Sequence, residues 1–493
     1  MMHLALQTAT DLSKIILNRQ ITSVELVNEL LNTIDQKNRT LNAIVTLNAE
    51  SARQRAKAAD EALGRGEVWG PLHGIPVTVK DVYKTKGMRT TAGHTPLKDY
   101  VPSTDACVVA QLRNAGAIIL GKTNTPALAM DVQTENRLFG ATRNPWHPDR
   151  TCGGSSGGDA AAVASGMSPM STGSDIGGSV RIPAHFCGVY AFKPSDGVVS
   201  IAGHIPPLKG QVNTIRHLAV PGVIARSVAD LQLWLNVVSS SDRSDKRTSA
   251  PFATLAPRAL KSYRFIWSDS FGELTTTRDT QHAIASLASK LADAGCQVTK
   301  VTNDDISIDQ LWRCYGEIFG VMAFANLPAV LRWMIPLMMP LLTQDPISRA
   351  GGKMATAGVK SWFAALERRD DLIKKMSVLL DGVDAWITPV CAGPAFPHRK
   401  MDKIHTPIDV DGTRFPGNLA ATGFTCPFNL TGFPAVVLPL SRTADGLPIG
   451  VQLVGRFQHD EELLNVAEAM SNGMRFRPAA LPLQPETFAP VPK

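Results

Sequence analysis

The sequence predicts an α/β fold, and three observations carry that expectation. Short apolar runs of strand length recur between segments whose apolar residues keep helical spacing. Glycine-rich turns separate the two kinds of segment, and no low-complexity tract or long polar linker breaks the alternation up to about residue 300. Of the 493 residues, 44% are hydrophobic and 19% charged, the balance of a globular chain with a large interior. One large domain over residues 1–493 is expected.

Residues 8–35 read as two helices. Leu12, Ile15 and Ile16, then Val24, Leu26, Val27, Leu30, Leu31 and Ile34, recur at helical spacing, and Thr22 with Glu25 three residues later is a capping box. Residues 50–65 are an alanine-rich polar helix that stops at Gly64. The run LHGIPVTVKD (72–81) becomes a strand that ends on Lys80 and Asp81. Residues 105–115 read as a helix and 117–120 as a short buried strand. Asp159 opens a helix of small residues, and 169–174 follows as a buried strand. After about residue 380 the pattern resumes with 383–389. The runs 428–437 and 448–454 read as core strands, and a last helix extends from Asp460 to about Met470.

Residues Ile318 to Leu342 stand apart. The run IFGVMAFANLPAVLRWMIPLMMPLL is apolar and rich in methionine, but it holds Asn326, Arg332 and three prolines, which argues against a membrane span. A pair of buried core helices is one expectation. The other is an adaptable apolar lining for a substrate pocket, with Met322, Phe324, Trp333 and Met338 as candidates, because methionine fits varied apolar shapes.

The net charge of +7 is spread along the chain, with no basic block interleaved with aromatics, so a nucleic-acid partner is not expected. Seven scattered cysteines without CxxC spacing argue against a disulfide scaffold or a zinc site. The N-terminus lacks the basic region and long apolar core of a secretory signal, and a cytoplasmic location is expected.

The chemistry concentrates between Thr151 and Pro183. Two clusters, Gly153-Gly154-Ser155 and Gly177-Gly178-Ser179, flank the small-residue helix and the buried strand. Glycine pairs leave amide N–H groups uncovered, and such groups beside a serine can receive negative charge on a substrate oxygen, as acyl transfer requires. Two local matches are rejected. Gly116 to Thr123 fits the phosphate-binding P-loop pattern, but its intervening residues, Ala-Ile-Ile-Leu, are themselves a strand. Gly153 to Gly157 fits the hydrolase nucleophile elbow G-x-S-x-G, but the preceding residues 144–150 hold two prolines and no strand character.

Lys80 at a strand end, Ser155 in GGSSGG and Ser179 in DIGGS together resemble the amidase signature family. GGSSGGDAAAVASG and GSDIGGSVRIPAHFCGVYAFKPS reproduce the family signature almost without a break from Gly153 to Ser195. GPLHGIPVTVKD (70–81), GAIILGKTNTP (116–126), TENRLFGATRNPW (134–146) and ARSVADL (225–231) extend it, and 300–380 is the part least like the family. The resemblance implies a central mixed sheet covered by helices on both faces, with a signature core at about 70–230 and a variable pocket region at about 300–380. It also implies a Ser–cis-Ser–Lys triad. Ser179 is the nucleophile, Ser155 relays its proton across a cis bond from Gly154, and Lys80 accepts it. Amides around Ile176, Gly177, Gly178 and Ser179 form the oxyanion hole, and no cofactor or metal takes part. Ser174 stands where threonine is commoner in the family, with little consequence expected. None of the eleven histidines is needed, and they read as structural or surface.

The expected activity is hydrolysis of carboxylic amides through an acyl-Ser179 intermediate. Stand-alone amidases, including those like fatty acid amide hydrolase, point to a small-molecule amide with a hydrophobic acyl or aryl part. The alternative is the glutamine-hydrolysing component of a glutamyl-tRNA amidotransferase, whose branch carries an acidic residue where Thr422 stands here. A catalytically silent binding relative and a P-loop nucleotide-binding protein are the remaining alternatives. A homodimer and peripheral membrane contact are left open.

Overall fold

The apolar runs pair into one eleven-stranded mixed sheet. The computed structural model describes residues 4–239, 256–302, 306–399 and 406–476. In chain order the strands are β1 (Ile44–Leu47), β2 (Pro76–Lys80), β3 (Ile118–Thr123), β4 (Met170–Asp175), β5 (Tyr190–Lys193) and β6 (Val220–Ala225). They continue with β7 (Arg264–Trp267), β8 (Gln297–Lys300), β9 (Ala385–Pro389), β10 (Ala435–Arg442) and β11 (Pro448–Val454). Their order across the sheet is β1-β3-β2-β4-β6-β5-β10-β11-β9-β7-β8. Parallel pairs join β3–β2–β4 on one side and β9–β7–β8 on the other, antiparallel pairs join these two sets, and β1 closes the first side antiparallel to β3. Strands β2 to β6 are buried along their whole length, which is why their sequences read as continuous apolar or small runs without alternation.

Helices flank the sheet: α1 (Ala9–Leu17), α2 (Ser23–Leu41), α3 (Ala49–Gly64), α4 (Cys107–Asn114), α5 (Gly157–Ala164), α6 (Arg181–Cys187), α7 (Val228–Val238) and α8 (Arg278–Asp293) come first. Then follow α9 (Ile308–Phe324), α10 (Ala329–Leu342), α11 (Pro346–Lys353), α12 (Val359–Leu379), α13 (Gly417–Thr422), α14 (Cys426–Leu430) and α15 (Asp460–Gly473). The capping box at α2 forms as expected: Glu25 N donates to Thr22 Oγ1 at 3.0 Å, and Thr22 N donates to the Glu25 carboxylate at 2.7 Å.

Two expectations are corrected. The run 428–437 is not one strand. Its first three residues belong to α14, which has Pro427 in its first turn, and the chain then turns at Gly432 (φ +79°) before β10 begins at Ala435. Nor does 318–342 behave as one unit. Its start is the buried end of α9, where Ile318 and Met322 join the second of two apolar cores. Helix α10 instead contains no buried residue, and Trp333 and Leu337 are 72% and 75% exposed. The side of α10 that meets the protein rests on α11, whose Gly352 admits Met339; a Cβ there would lie 2.6 Å from Met339 Cγ. Helices α9 and α11 also cross at glycines: a Cβ on Gly316 or Gly320 would lie 2.2 Å from the carbonyl oxygen of Ile347 or Gly351. That close crossing carries Phe319 and Ser348 to one cavity wall.

Candidate active site

Lys80 ends β2, and the parallel register of β2 with β4 sets Thr78 opposite Ser171 and Val79 opposite Thr172. The two strand ends therefore lie side by side. Lys80 Nζ sits 2.7 Å from Ser155 Oγ, 3.1 Å from Ser174 Oγ and 3.4 Å from Ser174 O. Burial pushes its pKa down to about 7, against the opposing charges of Asp159 and Asp175. The carboxyl of Asp159 is raised by the same burial, against the charge of Lys80 and hydrogen bonds from Ser171 Oγ at 2.5 Å and Thr123 Oγ1 at 2.7 Å. Both members of this pair move toward neutral forms because desolvation outweighs their attraction.

Ser155 precedes α5, and the Gly154–Ser155 peptide bond is cis. Helix α5 is buried throughout, and its opening glycines are required by space. A Cβ on Gly157 would lie 2.4 Å from Thr134 Oγ1, and one on Gly158 2.4 Å from the backbone nitrogen of Asn124. The two glycine clusters are joined directly: Ser156 N donates to Ser179 O at 3.0 Å, and Ser156 Oγ donates to Ser174 O at 3.3 Å.

The second cluster is anchored from the C-terminal half. Tyr315 Oη donates to Ile176 O at 3.0 Å, Thr425 Oγ1 to Gly177 O at 2.6 Å, and Asn429 Nδ2 to Asp175 O at 3.2 Å. With successive carbonyls held this way, the amide edge of the loop is left for other partners. Ile176, Gly177 and Ser179 amides have no hydrogen-bond partner among the described residues. Gly178 departs from the expectation, since its amide donates to Asp175 Oδ1 at 2.8 Å and is turned away from the site. Asp175 also pairs with buried Arg181 at 2.9 Å. Burial alone would raise this carboxyl, but the charge and hydrogen bonds of Arg181, with Asn429, hold it well below the usual carboxylate range.

A cavity of about 140 Å³ opens on Ser179, which is 8% exposed. Val132, Ile176, Ile182 and Phe319 give it apolar walls, and Asp131 and Thr422 add polar ones. Of the segment expected to line it, Phe319 does so. Met322 is packed in the core, Trp333 and Met338 are exposed on α10, and neither these nor Phe324 contribute to this cavity. Helix α9 ends at residue 324 and a separate helix, α10, packs on α11 from residue 329, so the whole run is not kept against one wall.

A family model described as Amidase matches residues 25–464. The chain belongs to the amidase family. It is an amide-hydrolysing enzyme. The chain is 30% identical to an acylamidase of Rhodococcus erythropolis over 93% of this chain and 94% of the relative. It is 31% identical to the A-type subunit of the glutamyl-tRNA(Gln) amidotransferase of Legionella pneumophila (strain Corby), over 93% and 95%. A bacterial aryl acylamidase of the amidase signature family superposes with a TM-score of 0.80 at 26% identity, covering 95% of this chain and 96% of that one.

In this amidase two site residues were not legible as such. Ser174 is in direct contact with Lys80, and His204 Nε2 lies 3.0 Å from Ser174 Oγ. Ser174 could have been suspected from its place beside Asp175 in the signature. His204 had no local signal, because it reaches the site when residues 203–205 pair with 82–84, just beyond Lys80. The P-loop match fails as expected: Gly121 and Lys122 lie within β3, and buried Lys122 donates to Tyr83 O and, at 2.8 Å, to Thr85 Oγ1. Among the described residues no group of three or more His, Cys, Asp or Glu side chains is placed to hold a metal ion, and no helix is long and apolar enough to cross a membrane.

Proposed function

We propose that Ser179 is the nucleophile that forms the acyl-enzyme, Ser155 the proton relay and Lys80 the base. Ser179 Oγ attacks the carbonyl carbon while its proton passes to Ser155 Oγ and the Ser155 proton passes to Lys80 Nζ. The carbonyl π pair moves to oxygen, where the amides of Ile176, Gly177 and Ser179 receive it. Lys80 then returns a proton through Ser155 to the leaving nitrogen, the C–N bond breaks, and water cleaves the ester by the same path in reverse. The observation that carries this reading is the 2.7 Å contact of Lys80 with Ser155 at a nitrogen that burial keeps substantially neutral near pH 7.

The substrate is an amide with a hydrophobic acyl or aryl part. Cavity size supports a ring-sized group, since a cavity of about 150 Å³ holds one benzene. The test compares acyl anilides from acetyl through benzoyl to long-chain, in the wild type and in Ser179→Ala. Turnover should peak at ring-sized acyl groups and fall by about 10⁴-fold in the variant without loss of folding. Full activity in Ser179→Ala would refute the assignment.

One observation favours the glutamine-hydrolysing alternative. Asp131 lines the cavity, with Oδ1 accepting from Val132 N at 2.7 Å and Gln133 N at 3.4 Å; burial raises its carboxyl against the charge of Arg399, and it is the acidic group that could face a substrate ammonium where Thr422 cannot. Glutamine hydrolysis that is lost in Asp131→Asn while benzoyl anilide turnover persists would establish that reading.

A further inference from the structure

The three contacts of Lys80 Nζ do not by themselves say where its lone pair points. An ammonium can donate to all three oxygens, but the neutral amine has two N–H groups and one lone pair. It works as a base toward Ser155 only if the lone pair, rather than an N–H, faces that hydroxyl. We infer that His204, acting through Ser174, fixes this orientation and is a positioning residue of the proton path. This inference rests on the roles given above to Lys80 and Ser155.

The hydrogen bonds that set the orientation run inward from His204, which is buried, 6% exposed, and edge-on to the Tyr83 ring at 5.2 Å. Burial, reinforced by the charges of Lys80 and Lys122, pushes its pKa down to about 3, so the imidazole is neutral and holds one N–H. Nδ1 lies 3.3 Å from Pro206 O, a group that only accepts, which assigns the N–H to Nδ1. Nε2 is then an acceptor, and its neighbour at 3.0 Å is Ser174 Oγ, which donates to it. Tyr83 Oη, which donates to Gly173 O at 2.8 Å, also lies against the Ser174 hydroxyl and is a second acceptor for its proton, but the imidazole nitrogen is the stronger acceptor. With its proton committed to His204, Ser174 offers Lys80 only acceptors, Oγ at 3.1 Å and the carbonyl at 3.4 Å. These take the two N–H groups of the neutral amine. The lone pair is left for Ser155 Oγ, the nearest of the three at 2.7 Å.

Without His204 the Ser174 hydroxyl can turn and donate to Lys80, which occupies the lone pair that Ser155 needs. The charges acting on Lys80 are those of Asp159 and Asp175, and Lys122 acts on His204; the titratable group against Ser174 is Tyr83, which burial holds neutral by pushing its pKa well above the usual value.

The test is a double-mutant cycle of His204→Phe with Ser174→Ala, read as kcat and KM across pH and as melting temperature. His204→Phe should lower kcat by about 10- to 100-fold with KM little changed, and should move the acid limb of the profile to lower pH because Lys80 becomes a weaker base. Once Ser174 is alanine there is no hydroxyl to misdirect, so His204→Phe should have little further effect. His204→Gln, whose amide can donate to Pro206 O and accept from Ser174, should recover most of the loss. Additive losses in the cycle would overturn the inference and leave His204 as packing alone. Disappearance of the acid limb in His204→Phe would overturn it too, by making His204 the titrating base. Lys80→Met separates the inference from its premise. If Lys80→Met retains turnover, the proton path fails and the inference with it. If Lys80→Met is inactive but His204→Phe has the wild-type kcat, only the inference fails.

Discussion

The pH dependence of turnover tests the site most directly. A lysine at its ordinary value of 10.5 is neutral in only about one molecule in three thousand at pH 7, whereas one pushed down to about 7 is neutral in about half. Burial at the end of β2 therefore raises the supply of base about a thousandfold at that pH, although Asp159 and Asp175 pull the other way. Measured as kcat/KM on an acyl para-nitroanilide, activity should rise about tenfold per pH unit below about pH 6 and level off above about pH 8. A stability effect follows from the same burial. Lys80 has a lower pKa folded than unfolded, so between about pH 7 and its ordinary value the unfolded chain binds more protons and stability rises with pH. Lys122, pushed down to about 8, and Lys193, to about 7, act with the same sign. Urea denaturation should give a higher midpoint at about pH 9 than at about pH 7. A rate still climbing tenfold per unit between about pH 8 and 10 would mean that Lys80 is not desolvated as described. A flat rate across the range, with chemistry shown to limit turnover, would mean that it is not the base.

Two further outcomes follow from packing. Arg181→Met leaves Asp175 buried without its partner and removes donors to Gln452, Asn429 and Thr425 O; it should cost about 3–5 kcal/mol, and an unchanged melting temperature would contradict the role given to this pair. Gly158→Ala sets a methyl 2.4 Å and 2.6 Å from backbone atoms of Asn124 and should cost about 3 kcal/mol, while Gly64→Ala, at the end of α3 with nothing within 4 Å, should be neutral or stabilising by up to about 1 kcal/mol.

Local chemistry made the strands and the signature loops legible. A buried strand needs an unbroken apolar or small run, a glycine pair is needed where a Cβ would strike backbone, and a cap needs Thr22 and Glu25 at fixed spacing. The fold class could therefore be read without coordinates, while Lys80, Ser155 and Ser179 were singled out by the family resemblance that these loops carry. The run 428–437 was misread because composition does not say where a proline-started helical turn hands over to a strand. The split of 318–342 into a buried helix end and an exposed helix was hidden for a different reason. Hydrophobicity says what a side chain prefers, while the close crossing of α9 and α11 at Gly316, Gly320 and Gly351 decides which face has a neighbour. The same distinction separates Lys80 from His204. Lys80 is marked by its place at the end of an apolar run and by the family resemblance, although the pairing of β2 with β4 is what sets it beside Ser174; His204 carries no such mark and meets Ser174 only because residues 203–205 pair with 82–84. The turning of the Gly178 amide toward Asp175, the neutral imidazole and the depressed lysine likewise depend on which groups share a volume without water. Sequence determined the chemical groups available to the site; tertiary structure decided their protonation and orientation, because both are set by neighbours distant along the chain.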